Sequence, residues 1–197
     1  RFRQDTMEEL VSFAVGCMMG RYSLDAPGLI YAHSGNEGFD PSQYTTFPAD
    51  DDGIVPLTDT EWFEDDACMR LVEFIGKAWN PTQLEANLTF LANNLGPKKN
   101  ESSRDTLRRY LNDKFFKDHL QGYKKRPIYW LFSSGKQKAL DRSGKHRGEW
   151  ADWSSGDQWA PDRSGKYRGA WADWSSDKQK APERSGKHRG DWAEWSS

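Results

Sequence analysis

The C-terminal part of the chain is one 21-residue unit written three times, with copies that begin at Ser133, Ser154 and Ser175. After Leu140 the chain contains no Leu, Ile, Val, Met or Phe, although seven of its ten tryptophans lie there. Repeats stack into a solenoid only if each unit has an apolar face that its neighbours bury. This composition therefore predicts a disordered tail of three tandem Ser/Gly/Arg/Trp repeats over 133–197.

A nucleic-acid arm is the alternative interpretation of this tail. Each copy contains Arg-Ser-Gly-Lys-His/Tyr-Arg-Gly, which supplies cations on a flexible backbone, together with tryptophans that are able to stack on bases. The acidic residues of every copy leave the tail nearly neutral, which removes most of its attraction for phosphates. Binding of single-stranded nucleic acid by the repeats stays an alternative function.

Residues 1–132 have the composition of an ordinary folded segment. Apolar residues at helical spacing predict helices over 5–19, 59–79, 81–95 and from 102 or 103 onward. The apolar run 128–132 has strand character, whereas 21–58 is rich in Gly, Pro, Asp and Ser and predicts a long irregular segment that packs against a larger body. The predicted fold class is mainly α with a little β.

The cysteines and the ends of the chain bear on its cellular context. Cys17 and Cys68 each lie on an apolar helical face, which predicts buried free thiols of a reducing compartment. The sequence shows no signal peptide and no membrane span, so we expect a cytoplasmic protein without a membrane partner. It begins at Arg1 without an initiator methionine, which indicates a fragment or a processed chain.

Charge is strongly segregated along the chain. Residues 1–96 carry 5 Lys/Arg against 16 Asp/Glu, whereas 97–140 carry 12 against 4. A basic block of this size is able to meet phosphates, or to face the acidic half of the same molecule. Both interpretations remain open from the charge alone.

Catalytic motifs are sparse. The sequence contains no G-x-G-x-x-G, no phosphate loop, no H-E-x-x-H and no paired C-x-x-C. The run 50–53, Asp-Asp-Asp-Gly, lacks the alternate spacing and the closing Glu of a calcium-binding loop, so we interpret it as a solvated acidic turn and predict no metal site. Asn80-Pro81 is interpreted as a helix cap.

Three stretches before the tail carry a family resemblance: SFAVGCMMGRYSLDAPGLIYAHSG (12–35), FPADDDGIVPLTDTEWFEDDA (47–67) and ESSRDTLRRYLNDKFFKDHLQGYKKRPIYWLFSSGKQKA (101–139). Over about residues 5–139 the chain resembles the PglX family, the adenine-specific DNA methyltransferases of BREX phage-defence systems. The run KKRPIYWLFSSGKQKA is the most specific part of this resemblance.

The resemblance implies a larger multidomain parent enzyme that binds S-adenosylmethionine, extrudes an adenine from duplex DNA and methylates its exocyclic amine. The family's cofactor-binding glycines and Asn-Pro-Pro-Tyr lie outside the matched part, so we expect no catalytic residue, no bound cofactor and no enzyme activity in this chain alone. Residues 1–132 would come from after the catalytic domain, near the target-recognition region.

A truncated, non-catalytic segment with residual binding to DNA or to other BREX proteins is the function that this resemblance favours. An inhibitor or decoy that acts on intact PglX or the defence complex is an alternative. Eight cations in or near the basic block are the candidate DNA-binding residues: Arg104, Arg108, Arg109, Lys124, Lys125, Arg126, Lys136 and Lys138. Pairing of these cations with neighbouring carboxylates is the competing interpretation.

The resemblance ends around Leu140, where the chain begins to repeat its own SSGKQKA instead of continuing into further apolar helices. Replication slippage, a fusion and an artificially generated sequence are three explanations for this change. In each case the first repeat unit begins inside the family-like part of the chain.

Overall fold

The computed structural model describes residues 2–33, 37–61, 63–124, 127–134 and 137–142. Within these ranges five α-helices pack together with a small antiparallel sheet, so the prediction of a mainly α fold with a little β is confirmed. The elements are α1 (Phe2–Met18), β1 (Ile54–Leu57), α2 (Ala67–Ala78), α3 (Leu84–Asn94), α4 (Ser103–Asp113), α5 (Phe115–Gly122), β2 (Trp130–Ser134) and β3 (Gln137–Asp141). The prediction of disorder after residue 142 lies outside the described residues.

Helix α2 begins later than the sequence predicts. The prediction of a helix from residue 59 with an acidic first turn is wrong, because Asp66 is extended (φ −63°, ψ 158°) and caps a helix that starts at Ala67. Its carboxylate accepts a hydrogen bond from the backbone N–H of Met69 at 2.9 Å. A side-chain cap of this kind satisfies an N–H group that has no partner within the helix, and so fixes where the helix starts.

The cap predicted at Asn80 is confirmed, and the helix predicted from residue 102 or 103 has a cap that was not predicted. The Asn80 side chain accepts from the backbone N–H of Thr82 in a 3-10 turn, Pro81–Gln83, that leads directly into α3. Ser102 and Asp105 form a reciprocal capping box at the start of α4. The single helix predicted from residue 102 is two helices, because Lys114 (φ −122°, ψ −35°) interrupts it.

The sheet has the order β1-β3-β2, so the last strand in the sequence is the central one. The backbone N–H of Arg142 donates to the carbonyl of Gly53 at 2.8 Å. Hydrogen-bonded pairs recur every second residue in an antiparallel ladder, which makes Leu140 and Val55 the next such pair. Pro56 lies between these positions on an edge strand, where its missing N–H faces away from β3.

The described start of the first repeat copy is part of this fold, so the disorder predicted from residue 133 is wrong for Ser133, Ser134 and 137–142. Strand β3 consists of residues from that copy, and Leu140, Asp141 and Arg142 are fully buried. The domain boundary predicted between 132 and 133 therefore falls within β2, and the folded part extends through Arg142. Composition places this stretch with the repeats, whereas its hydrogen bonds and burial place it in the core.

The irregular segment between α1 and β1 packs on the chain's own core. Tyr31, Tyr44 and Phe47 are buried, and the Phe47 ring lies 5.4 Å from that of Phe74 in an edge-to-face contact. These contacts explain how a long segment without regular structure keeps one conformation.

Arg142 is held in a cage of backbone carbonyls. Its guanidinium group donates to the carbonyls of Asp50 at 3.1 Å and Asp51 at 3.3 Å, and lies 3.7 Å from the centroid of the Phe39 ring. Gly53 has a positive φ of 74°, and a Cβ there would lie 2.7 Å from the Arg142 Nε atom. Only glycine allows this approach without displacing the arginine.

Arg21 connects that cage to the rest of the fold. Its Nε donates to the carbonyl of Ile128 at 2.6 Å, and one terminal nitrogen donates to the carbonyls of Tyr31 and His33 at 2.9 and 3.0 Å. The other terminal nitrogen donates to the carbonyl of Arg142 at 2.6 Å. One buried side chain thus joins the end of α1, the irregular segment, and both sides of the β2–β3 hairpin.

Both cysteines are free and buried, as the sequence predicts. Burial raises the pKa of each thiol to about 12, so neither Cys17 nor Cys68 is a nucleophile near neutral pH. Among the described helices, none has the length and apolar character needed to cross a membrane.

The glycine that contacts Arg142 gives a test of the cage. Gly53→Ala and Gly38→Ala both place a side chain at φ near 73°, but only the first displaces Arg142, since a Cβ at Gly38 meets nothing within 4 Å. The positive φ costs each variant on the order of 1 kcal/mol. We expect Gly53→Ala to lose roughly 2 kcal/mol more in the free energy of unfolding, measured by urea titration. Equal losses in the two variants would contradict the cage.

Candidate nucleic-acid interface

Five of the eight candidate DNA-binding cations lie in the described part of the chain. Arg104, Arg108 and Arg109 are on α4, Lys124 follows α5, and Lys138 is on β3. The other three, Lys125, Arg126 and Lys136, lie outside the described residues. The surroundings of the described five decide how much positive charge the folded part offers to a phosphate.

Arg108 is a structural residue. One of its terminal nitrogens lies 2.6 Å from the Asp66 carboxylate, and both residues are buried, with 8% and 0% of their surfaces exposed. The same nitrogen donates to the Thr58 hydroxyl at 2.8 Å and to the Thr60 carbonyl at 3.0 Å. The positive charge of Arg108 is neutralised by Asp66 in the interior, and the same ion pair holds the carboxylate that caps α2.

Arg109 is paired at the surface. It makes two hydrogen bonds to Glu101, at 2.6 and 2.9 Å, and a third to the carbonyl of Gly96 at 2.7 Å. The Arg109 guanidinium lowers the pKa of the Glu101 carboxyl to about 2, with help from the backbone N–H of Lys98. The pair stays ionised at any pH near neutral, so its net charge is zero.

Arg104 makes a two-pronged ion pair with Glu85 at 2.7 and 2.9 Å, and both side chains are exposed. An exposed pair contributes little to stability, because water and salt screen it. Arg104 is therefore the α4 arginine that can exchange its carboxylate partner for a phosphate at least cost.

The groove beside α4 combines three candidate cations with a larger number of acids. It is lined by Asp59, Glu101, Asp105, Arg108, Arg109, Asn112, Asp113 and Lys138. Four carboxylates against three cations give no net attraction for the nucleic-acid backbone. The Lys138 ammonium in addition donates to the backbone carbonyl of Asn112 at 2.6 Å.

Three of the twelve cations in the basic block pair with carboxylates in the acidic half of the same molecule. Arg104 pairs with Glu85, Arg108 with Asp66, and Lys114 with Glu8 at 2.6 Å. These three pairs join residues after 97 to residues before 96. Of the two interpretations of the charge segregation, the intramolecular one describes α4.

Lys124 differs from the α4 arginines. It lies just after the end of α5, is exposed, and has a positive φ of 51°. Its ammonium group has no ion pair among the described residues. It is followed in the sequence by Lys125 and Arg126, which makes three consecutive cations.

Sequence reasoning missed a second groove, between α1 and α5, whose floor contains His119. Its ring is buried and stacks on Tyr129 with centroids 4.3 Å apart. The His119 Nδ1 atom lies 3.1 Å from the Tyr129 hydroxyl and 3.3 Å from that of Ser12. Burial lowers the pKa of His119 to about 4, so the imidazole is neutral at pH 7. The only sequence signal was its position four residues after Phe115 on one helix face.

The acidic run 50–53 is not the solvated turn that the sequence suggested. Asp50 and Asp52 are buried, and their carboxylates accept from the backbone N–H groups of Gly53 at 2.7 Å and Ile54 at 2.8 Å. The ligand oxygens of the three aspartates lie within 4.8 Å of one another. These hydrogen bonds give the carboxylates a structural role, which is to fix the turn that enters β1.

Sequence comparison shows which known proteins this chain resembles. No protein-family model matches the chain. The adenine-specific methyltransferase BrxX of Escherichia coli O9:H4 (strain HS) is 56% identical over 150 residues, which is 72% of this chain and 12% of that protein. The adenine-specific methyltransferase PglX of Lacticaseibacillus casei (strain Zhang) is 44% identical over 133 residues, or 66% of this chain and 11% of that protein.

Both relatives are adenine-specific methyltransferases, and this is the class of protein to which the chain is related. Within that class, the resemblance to the PglX family of BREX systems that the sequence predicts is confirmed. The chain spans about an eighth or less of the length of the curated relatives it matches, 12% and 11%.

The contrast between Arg108 and Arg104 gives a test on one helix. In Arg108→Gln the Asp66 charge is left buried without its cation, so we expect a loss of about 3–5 kcal/mol in the free energy of unfolding. In Arg104→Gln an exposed pair is lost, and we expect a change of at most about 1 kcal/mol. Chemical denaturation of both variants measures the difference. Similar small losses of unfolding free energy in the two variants would show that Arg108, like Arg104, makes only a surface ion pair.

His119 predicts a pH dependence of stability. The unfolded chain binds a proton with the ordinary histidine pKa of 6.5, whereas the folded chain does so at about 4. Stability is therefore complete above pH 6.5 and falls as the pH is lowered through this window, by about 2 kcal/mol between pH 7 and pH 5. In His119→Gln this part of the loss should disappear, as measured by urea titrations at both pH values. An unchanged loss in the variant would assign it to other groups.

Proposed function

We propose that this chain is a non-catalytic segment of a BREX adenine methyltransferase that keeps a weak affinity for duplex DNA. In this proposal the full-length parent binds S-adenosylmethionine and methylates adenine, whereas the chain by itself binds no cofactor. The family resemblance supports the methyltransferase context, and the absence of cofactor and catalytic motifs from the sequence supports the non-catalytic part.

The basic turn that begins at Lys124 is the part of the chain to which we assign the DNA contact. The supporting observation is the contrast within the candidate set: the α4 arginines are each paired with a carboxylate, whereas Lys124 is exposed and has no ion pair among the described residues. Unpaired cations release counterions from DNA without first losing an intramolecular partner. Lys125 and Arg126 follow Lys124 in the sequence and are included in the proposed contact, and Arg104 is the secondary contact.

Such a site reads the backbone and not the sequence of the DNA. Lysine ammonium groups are point charges without the planar fork that recognises guanine, so the expected contacts are to phosphates. Two or three phosphate contacts give weak binding that depends strongly on salt. In the parent methyltransferase, this turn would help to position the duplex while other parts read the target site.

Two pairs of consecutive lysines allow a matched experiment. Lys124→Gln/Lys125→Gln removes two charges from the proposed site, and Lys98→Gln/Lys99→Gln removes two from the exposed turn before α4. In duplex titrations at two or more salt concentrations, we expect only the first variant to bind more weakly. Its plot of log K against log salt should become shallower by about two.

Three results would contradict parts of the proposal. Equal weakening of DNA binding in both lysine variants would show that binding depends on the net charge of the chain and not on the proposed site. No binding by the unmodified chain even at low salt would remove the DNA part, and would favour the alternative in which the chain acts on intact PglX or other BREX proteins. Transfer of labelled methyl groups from S-adenosylmethionine to DNA in the same samples would overturn the non-catalytic part.

A further inference from the structure

The chain contains two near-copies of its own central strand. Strand β3 and the residue after it read Gln-Lys-Ala-Leu-Asp-Arg at 137–142. The second repeat copy has Gln-Trp-Ala-Pro-Asp-Arg at 158–163, and the third has Gln-Lys-Ala-Pro-Glu-Arg at 179–184. Three segments of one chain therefore resemble each other closely enough to compete for the space between β1 and β2.

This space makes two demands at the position of Leu140. The side chain is completely buried and belongs to the hydrophobic core. The backbone N–H is in a hydrogen-bonded pair with Val55, as the alternation from the Arg142–Gly53 hydrogen bond requires. Because β3 has a partner on both sides, its N–H groups have no free edge to face.

Two other features of the site are met by both later copies. Arg163 and Arg184 occupy the same position in the repeat unit as Arg142, whose guanidinium group lies in the cage of backbone carbonyls. The small residue at Ala139, which is fully buried, is also alanine in both later copies. In the third copy the differences over these six positions are proline for leucine at 182 and glutamate for aspartate at 183.

We propose that the space between β1 and β2 is a strand-binding site selective for Ala-Leu-Asp-Arg, and that Pro161 and Pro182 exclude the later repeat copies from it. A proline at this position removes a ladder hydrogen bond in the middle of a sheet and leaves the Val55 carbonyl without its donor. Selection by proline keeps a unique strand in a chain that carries three candidates.

Chain connectivity offers a competing explanation. Strand β3 of the first copy follows β2 after a two-residue connection, whereas the matching segment of the third copy would need a connection of 44 residues, 135–178. The entropy of closing the longer loop favours the first copy by roughly a hundredfold. This preference lowers the population of an exchanged strand, but it does not prevent exchange once the first copy is disabled.

The experiment disables the first copy and repairs the third in the full chain. Leu140→Pro should destroy the strand, and the control Leu140→Pro/Glu183→Asp should behave in the same way. Leu140→Pro/Pro182→Leu/Glu183→Asp restores Ala-Leu-Asp-Arg in the third copy. We expect this variant to regain a cooperative urea transition, and its Arg184 backbone amide to become protected from hydrogen exchange at least a hundredfold relative to the control.

The other outcomes overturn the proposal. Protection of Arg184 in the control would show that a proline-containing copy enters the site. Failure of the repaired variant to recover, whether or not Leu140→Pro unfolds the whole chain, would show that proline is not what excludes the third copy. Leu140→Ala keeps the backbone N–H and should retain protection of the Arg142 amide. If it loses that protection as Leu140→Pro does, the leucine side chain and not the proline decides the selection.

Discussion

Burial of two arginine side chains holds the described part of this protein together. Arg21 and Arg142 have almost no exposed surface, and their guanidinium groups donate chiefly to backbone carbonyls from segments far apart in the sequence. A guanidinium group has several N–H donors in one plane, so it can bond backbone carbonyls that have no partner in a helix or sheet. A long irregular segment contains carbonyls of this kind. Because Arg142 is the last described residue and comes from the first repeat copy, the fold depends on a stretch whose composition resembles the tail.

Partners within the chain also decide which cations of the candidate interface are available to bind DNA. The cations of α4 are used within the chain: Arg108 in the interior, Arg109 and Arg104 at the surface, each against a carboxylate. A basic stretch in the sequence of α4 is therefore not a basic surface in the fold. Of the candidate cations in the described ranges, Lys124 is the one that is exposed and has no ion pair, which is why the proposal assigns the DNA contact to it and expects weak binding that depends on salt.

Local signals in the sequence predicted local structure. Apolar spacing located the helices approximately, and Asn80 was recognisable as a cap because capping needs only neighbouring residues. Features that depend on distant partners could not be predicted. Spacing alone did not show that Arg108 meets Asp66 across 42 residues, that Asp66 therefore starts α2, or that the proline-containing run Ile54–Leu57 is an edge strand. The family resemblance identified the context of the candidate site, but not which of its cations are free.

The most direct test of this account is ¹⁵N NMR of the arginine side chains in the full-length chain. Because Arg21 and Arg142 are buried and bonded to backbone carbonyls, we expect their Nε–H protons to exchange slowly with water. We also expect rotation of their guanidinium groups to be hindered enough to separate the signals of the terminal nitrogens. An exposed residue such as Arg3 serves as the internal reference. Rapid exchange and free rotation at Arg142, like those of the reference, would contradict the inclusion of Arg142, and with it the start of the first repeat copy, in the fold.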